Sequence, residues 1–229
     1  MKAFLLAAGH GTRLRPLTDN TPKCLLPIRG VPLLQIWLET CRRFGIEEVL
    51  INIHARASAV YEFLKRHPCK TKVRIAEEAE LLGSAGTIVE NRRWVESEDS
   101  FWVFYADVLQ QADLSAMFRL HQSRRPAVTV GAYPVPDPQR CGVLELDPNG
   151  TVLNFVEKPA HPRSNLAFSG ILIGTRVLLD TIPVRRPADL GFDVLPQLIG
   201  NMVAYPISNF LLDIGTMENY ELAQATWPG

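Results

Sequence analysis

Short apolar runs alternate with segments of helical spacing through the first half of this chain, and that alternation restricts the fold more than any other feature. Lys2 to Ala8 is an apolar run that ends at Gly9 and Gly11, the pattern of a buried strand entering a loop. From Pro32 to Phe44 the apolar residues fall at Leu34, Trp37, Leu38, Cys41 and Phe44. That is helical spacing, with Pro near its start and Gly45 just past its end. Glu47–His54 and Val73–Glu78 read as strands, Ser58–Arg66 as a helix, and a further helix runs from the loop LLGSAG to about Val95. Phe101–Ala106 is continuously apolar, as a buried central strand would be, with Asp107 at its carboxyl end. Alternation of this kind implies parallel strands joined by right-handed crossovers.

The second half changes character. Asp113 reads as the cap of a helix to about His121, and Ala127–Val135 as a strand. Two more strand patterns flank Asp147-Pro148-Asn149-Gly150, a strong hairpin signal that adds antiparallel pairing. A strand follows around Phe168–Ile173, then short helices, strands near 202–207 and 210–213, and a last helix from Met217. No Pro/Gly/Ser-rich linker interrupts residues 1–229, so a single α/β domain with a mixed, mainly parallel sheet is expected.

Composition excludes several classes. The 229 residues carry 24 Lys plus Arg against 24 Asp plus Glu. A balanced charge argues against a general nucleic-acid binder, which needs a concentrated positive face. The 47% apolar and 21% charged fractions suit a folded globule. No apolar run nears the ~20 residues of a membrane span, and the amino terminus lacks the form of a signal peptide. The four cysteines are scattered without metal or disulfide spacing, as in a reducing cytoplasm. Trp227 near the end could dock on a neighbouring chain.

The loop after the first strand carries the chemistry. Gly9-x-Gly11 exposes backbone N–H groups that let a phosphate or a flat base come close. It is not a dinucleotide loop, because position 14 is Leu and Pro16 and Pro22 break any following helix. Nor is it a Walker loop, since no Gly-Lys-Ser/Thr follows. Instead a long loop bears Arg13, Arg15 and Lys23. On charge pattern alone it is either a triphosphate wrap or a solvated basic loop.

The string GHGTRLRPLT, followed by Pro22-Lys23, resembles the signature of the sugar-1-phosphate nucleotidyltransferases. Further motifs follow in that family's order: LLGSAGT, YAD ending at Asp107, FVEKP, FSG and LLDIGT. The segments LLGSAGTI, CGVLELD, SNLAFSG and DIGTMENY look most like short mannose- or heptose-1-phosphate guanylyltransferases. The resemblance implies a Rossmann-like three-layer domain of the nucleotide-diphospho-sugar transferase type, without the left-handed β-helix of longer relatives. It implies a nucleotide site at Leu6, Ala8, Gly9, Gly11, Thr12, Arg13, Lys23, Glu78, Gly83 and Asp107. It implies Mg²⁺ held by Asp107 and Asp213, and catalysis by these two with Arg13 and Lys23. Gly142, Glu157, Lys158, Asn165 and Gly170 match the sugar-phosphate positions. The implied substrates are a nucleoside triphosphate and a sugar 1-phosphate, with a homodimer by analogy. One departure is Ala106, where relatives usually have Gly; its methyl bears on the substrate rather than on the activity.

Glu78 stands where relatives using pyrimidine nucleotides tend to carry Gln. A carboxylate accepts from guanine N1–H and N2–H but cannot donate to a pyrimidine O4, which favours GTP. The bland reading makes Glu77, Glu78 and Glu80 a solvated acidic edge. The functional alternatives are a uridylyl- or thymidylyltransferase, or a catalytically silent subunit that senses NDP-sugars. The silent subunit would be expected to have lost one of Arg13, Lys23, Asp107 or Asp213, and all four are present.

Overall fold

In the computed structural model, which describes residues 1–229, the strands are β1 (Lys2–Leu6), β2 (Pro27–Ile28), β3 (Val31–Pro32), β4 (Glu48–Ile53), β5 (Lys72–Glu77), β6 (Phe101–Tyr105), β7 (Val108–Gln110), β8 (Val128–Pro134), β9 (Gly142–Leu146), β10 (Val152–Glu157), β11 (Leu166–Gly174), β12 (Met202–Pro206) and β13 (Leu211–Asp213). The α-helices are α1 (Leu33–Arg43), α2 (Ala57–Arg66), α3 (Ser84–Glu90), α4 (Arg92–Val95), α5 (Leu114–Arg124), α6 (Arg176–Thr181) and α7 (Met217–Thr226). The architecture is α/β with mixed strand pairing. Two compact units divide the chain: residues 1–81, 104–111 and 210–229, and residues 82–103 and 112–209.

In the first unit β1 pairs with β4 and β4 with β5, both in parallel. These strands are buried through Phe4, Leu5, Leu50 and Ile51, which is why they read as continuous apolar runs. Helix α1 buries Leu34, Trp37, Leu38 and Cys41 on one face. The Trp37 indole stacks on Phe104 with ring centroids 4.8 Å apart. A positive φ of 69° at Gly45 closes the helix. Trp227 lies in this unit's own core. It is buried, packs edge-on against Phe210 with ring centroids 5.3 Å apart, and its carbonyl accepts from Arg29 at 2.8 Å. The sequence had left it free to dock on a neighbouring chain; packing against Phe210 removes that role.

In the second unit the hairpin appears where the turn signal placed it. The strands β9 and β10 pair antiparallel, and Asp147 Oδ1 accepts from Asn149 and Thr151 N–H at 2.9 and 2.7 Å. Strand β11 pairs antiparallel with β8 and β9, and β12 runs parallel to β8. Asp113 caps α5 by accepting from Ala116 N–H. The helix expected after LLGSAG breaks at Asn91, whose Nδ2 donates to Thr87 O at 2.9 Å. A side-chain amide that bonds the backbone in this way competes with the helical ladder. None of the four cysteines is paired in a disulfide, and no helix is long and apolar enough to cross a membrane.

His121 on α5 is 5% exposed, and its Nδ1 lies 2.9 Å from Thr129 Oγ1 on β8. Burial lowers its pKa to about 4. An unfolded His titrates near 6.5, so between these values the unfolded chain binds the extra proton. This contribution to stability is therefore complete above pH 6.5 and is lost as the pH falls toward 4. Urea unfolding at pH 7.5 and pH 5 should show wild type losing about 2 kcal/mol more than His121→Gln. Equal losses in both proteins would contradict the assignment.

Candidate functional site

The loop after β1 is held open by backbone geometry. Gly11 has φ 63°, and a Cβ there would lie 2.9 Å from Thr18 Cγ2. Thr18 Oγ1 donates to Gly11 O at 2.8 Å, and Leu14 N–H donates to the same carbonyl at 2.9 Å. These bonds wind Thr12–Leu14 into a short 3-10 turn that carries Arg13. Around Gly9 the space is open, with no atom within 4 Å of a Cβ built there. Leu6, Gly9, Gly11, Thr12, Arg13, Lys23, Ala106 and Asp107 line one cavity of about 250 Å³. Ala8 is buried and lines a smaller recess with His10 and His54.

Two aspartates distant in sequence meet in this unit. Ala106 N–H donates to Leu6 O at 3.0 Å, fixing the end of the apolar run beside β1 and placing Asp107 directly after it. Strand β13 pairs antiparallel with β7, with Asp213 opposite Val108. Ile214 N–H then donates to Asp107 O at 2.9 Å. Lys23 Nζ lies 2.6 Å from Asp107 Oδ2, with the lysine side chain only 11% exposed. Asp213 Oδ1 accepts from Gly215 N–H at 2.5 Å. A Cβ at Gly215 would come within 2.7 Å of that oxygen and 3.0 Å of Arg13 Nη2, so glycine admits both groups. Asp213 is exposed at its edge, with protein packed around the rest of it. That desolvation, and then the charge of Asp107, hold its carboxyl above the usual range; Lys23, Gly215 N–H and Arg13 pull the other way.

Glu78 is 6% exposed, whereas Glu77 and Glu80 are exposed. The solvated acidic edge therefore does not describe Glu78. Its N–H donates to Ile53 O and its carbonyl accepts from His54 Nδ1, both at 2.8 Å; Oε1 accepts from Asn52 Nδ2 at 2.9 Å. Asn52, on β4, was not picked out from the sequence, because a single Asn in an apolar strand carries no motif.

The second unit holds the remaining residues. Gly83 has φ 80°, and a Cβ on it would lie 2.3 Å from Ala188 O, the carbonyl that accepts from Ala85 and Gly86 N–H. Glu157 ends β10 half-buried. Burial raises its pKa, and the charge of Asp189 adds to this while Lys158 opposes it. Its Oε2 lies where a Cβ on Gly142 would come within 2.7 Å and one on Gly191 within 2.3 Å. Lys158 has φ 50°; its Nζ sits 3.9 Å from Glu157 Oε1 and 5.5 Å over the Phe192 ring. The turn bearing Gly191 is locked by Asp189, whose Oδ1 accepts from Gly191 and Phe192 N–H and whose Oδ2 accepts from Ser84 Oγ. Gly142, Glu157 and Lys158 thus come together and gain Gly191, which the sequence did not reveal. Gly170, with φ 76°, falls where the β11–β8 register shifts. Asn165 is exposed, and its carbonyl accepts from Val135 N–H.

Among proteins of known kind, mannose-1-phosphate guanylyltransferase 1 of Arabidopsis thaliana is 30% identical over 96% of this chain and 63% of its own length. UTP–glucose-1-phosphate uridylyltransferase of Synechocystis is 31% identical over 96% of this chain and 61% of its own length. The chain spans about three-fifths of the length of these curated relatives. The crystal structure of HddC from Yersinia pseudotuberculosis complexed with GMP-PN superposes with a TM-score of 0.80 at 25% identity, covering 99% of both chains. The nucleotidyl transferase family profile matches residues 2–227, and the chain belongs to that family.

Proposed function

We infer that this protein transfers a nucleotidyl group from a nucleoside triphosphate to a sugar 1-phosphate, forming an NDP-sugar and pyrophosphate. The observation that carries the reading is the convergence of Arg13, Lys23, Asp107 and Asp213 beside the glycine loop of one unit. The nucleophile is a phosphate oxygen of the sugar 1-phosphate, mostly dianionic at pH 7 because its second pKa is about 6. It bonds to the α-phosphorus as the bond to the bridging oxygen breaks, and pyrophosphate leaves with that electron pair. No general base is needed, so positioning and charge compensation dominate. Arg13 offers a planar fork of donors to the β- and γ-phosphates, and Lys23 a point charge to the α-phosphate. Lys158 takes the sugar phosphate, and Glu157 accepts from sugar hydroxyls.

Asp107 and Asp213 suit Mg²⁺, which takes one or two carboxylates and completes its shell with water and phosphate oxygens. Both offer hard oxygen donors, and the β7–β13 pairing with the Ile214 N–H to Asp107 O bond brings the two residues together. When bound, the metal would neutralise phosphate charge. The homodimer expected by resemblance stays part of this proposal.

GTP is the favoured donor and mannose or D-glycero-D-manno-heptose 1-phosphate the favoured acceptor. Glu78 supports guanine as a buried acceptor held in place by Asn52. The Arabidopsis relative's name and the HddC complex with GMP-PN point the same way. The Synechocystis relative favours a uridylyl reading.

Pyrophosphate release with Mg²⁺ should be fastest for GTP among GTP, UTP, dTTP, CTP and ATP, and chelation of the metal should abolish it. Asp107→Asn and Asp213→Asn should each lower kcat by at least about 100-fold while remaining folded. Faster turnover of UTP or dTTP would discard the base assignment. Silence with every pair, while GDP-sugar still raises the melting temperature, would mark a sensing subunit.

A second expectation concerns Gly191. The added methyl of Gly191→Ala meets the Glu157 carboxylate, so KM for the sugar 1-phosphate should rise about tenfold or more, with KM for GTP little changed. Equal rises in both constants would detach Glu157 from the sugar.

A further inference from the structure

Asn52 occupies an expensive position. It sits in β4 between Ile51 and Ile53, is 5% exposed, and interrupts a run of otherwise buried apolar residues. A buried amide is tolerated only when its hydrogen bonds are made. Ala7 N–H, at the exit of β1, reaches one Asn52 atom at 2.7 Å. A backbone N–H can only donate, so that atom is Oδ1. Nδ2 must then face Glu78 Oε1, where it donates at 2.9 Å. The amide orientation follows from its partners.

Glu78 is thereby held from three successive residues, Asn52 and Ile53 at the end of β4 and His54 just past it. Asn52 holds its carboxylate, Ile53 O receives its N–H, and His54 Nδ1 donates to its carbonyl. The last bond requires the proton on Nδ1 of His54, since a carbonyl only accepts. The same Asn52 ties this clamp to Ala7, the residue before the buried Ala8 and the open Gly9. A glutamate in such a grip loses the rotamer freedom it would otherwise surrender on binding a base.

We propose that Asn52 is a positioning residue that sets nucleobase preference, presenting Glu78 to the base in one fixed orientation. The proposal rests on the reading of Glu78 as the base acceptor. Asn52→Asp keeps an acceptor for Ala7 but faces Glu78 with a second carboxylate. Asn52→Ser keeps a small polar group on a shorter side chain and withdraws the amide donor from Glu78. Both variants, with Glu78→Gln in parallel, are compared with wild type in equilibrium binding of GTP and UTP at 10 °C with Mg²⁺. Thermal unfolding is recorded for each, and the serine variant serves if the aspartate variant does not fold.

The expected result is that both Asn52 variants and Glu78→Gln raise the ratio of the GTP to the UTP dissociation constant by about tenfold or more. A role in folding alone would weaken both nucleotides equally. If Glu78→Gln shifts the ratio and the Asn52 variants leave it unchanged, the inference fails and the Glu78 reading stands. If Glu78→Gln leaves the ratio unchanged, the Glu78 reading fails and the inference with it.

Discussion

Negative charge gathered at one corner of the first unit is the constraint around which much of that unit is arranged. The pairing of β7 with β13 brings Asp107 and Asp213 together, and two carboxylates so placed repel through a medium of reduced dielectric. Each neighbouring feature answers that repulsion. Lys23 lies against Asp107 on a turn that starts after Pro22. Arg13 comes from the turn that Gly11 permits, and Gly215 contributes its N–H to Asp213. Desolvation of Asp213, with the charge of Asp107 added, outweighs this compensation and leaves the Asp213 carboxyl raised. In the proposed reaction the same cations turn toward triphosphate oxygens, so their pairing with aspartate holds them oriented in the meantime.

Charge compensation at these distances depends on missing side-chain atoms. A Cβ on Gly215 would push apart Asp213 and Arg13, and a Cβ on Gly142 or Gly191 would displace the Glu157 carboxylate. Overpacking of this kind costs roughly 1–3 kcal/mol, a loss a folded domain can survive. The functional consequence is larger, because positioning terms in catalysis are lost over about an ångström. These glycines serve placement more than stability. Gly83 differs, since its φ of 80° and the approach of Ala188 O make it a demand of the fold itself.

Local patterns made most of the elements readable. The helical spacing of Leu34, Trp37, Leu38 and Cys41 reports one buried face, and Phe101–Ala106 reports burial on both. The hairpin followed from Asp147 and Gly150 because turn chemistry is contained in four residues. Long-range demands left no local trace. The break at Asn91 depends on a side-chain bond that propensity does not specify. Asp107 and Asp213 were tied together through resemblance, since two three-residue strands set their meeting and neither is long enough to show a period. Gly191 was missed because its need for a bare Cα comes from Glu157, far earlier in the chain. Trp227 near the end looked available, and only Phe210 and Arg29 explain its burial.

The division between what is readable and what is not also separates reaction class from substrate. Charge handling uses residue types with few substitutes: an arginine fork, a lysine, two carboxylates and glycines that admit them. Such a set leaves a strong mark on sequence. The Arabidopsis and Synechocystis proteins, named for GTP and UTP chemistry respectively, are 30% and 31% identical to this chain. Overall identity therefore carries no vote on the base. What can discriminate is local: whether an acceptor or a donor stands at position 78, and whether β4 fixes it. A carboxylate held by Asn52, on a backbone pinned by Ile53 and His54, has one orientation to offer, and a fixed acceptor favours the base whose edge presents N–H groups to it.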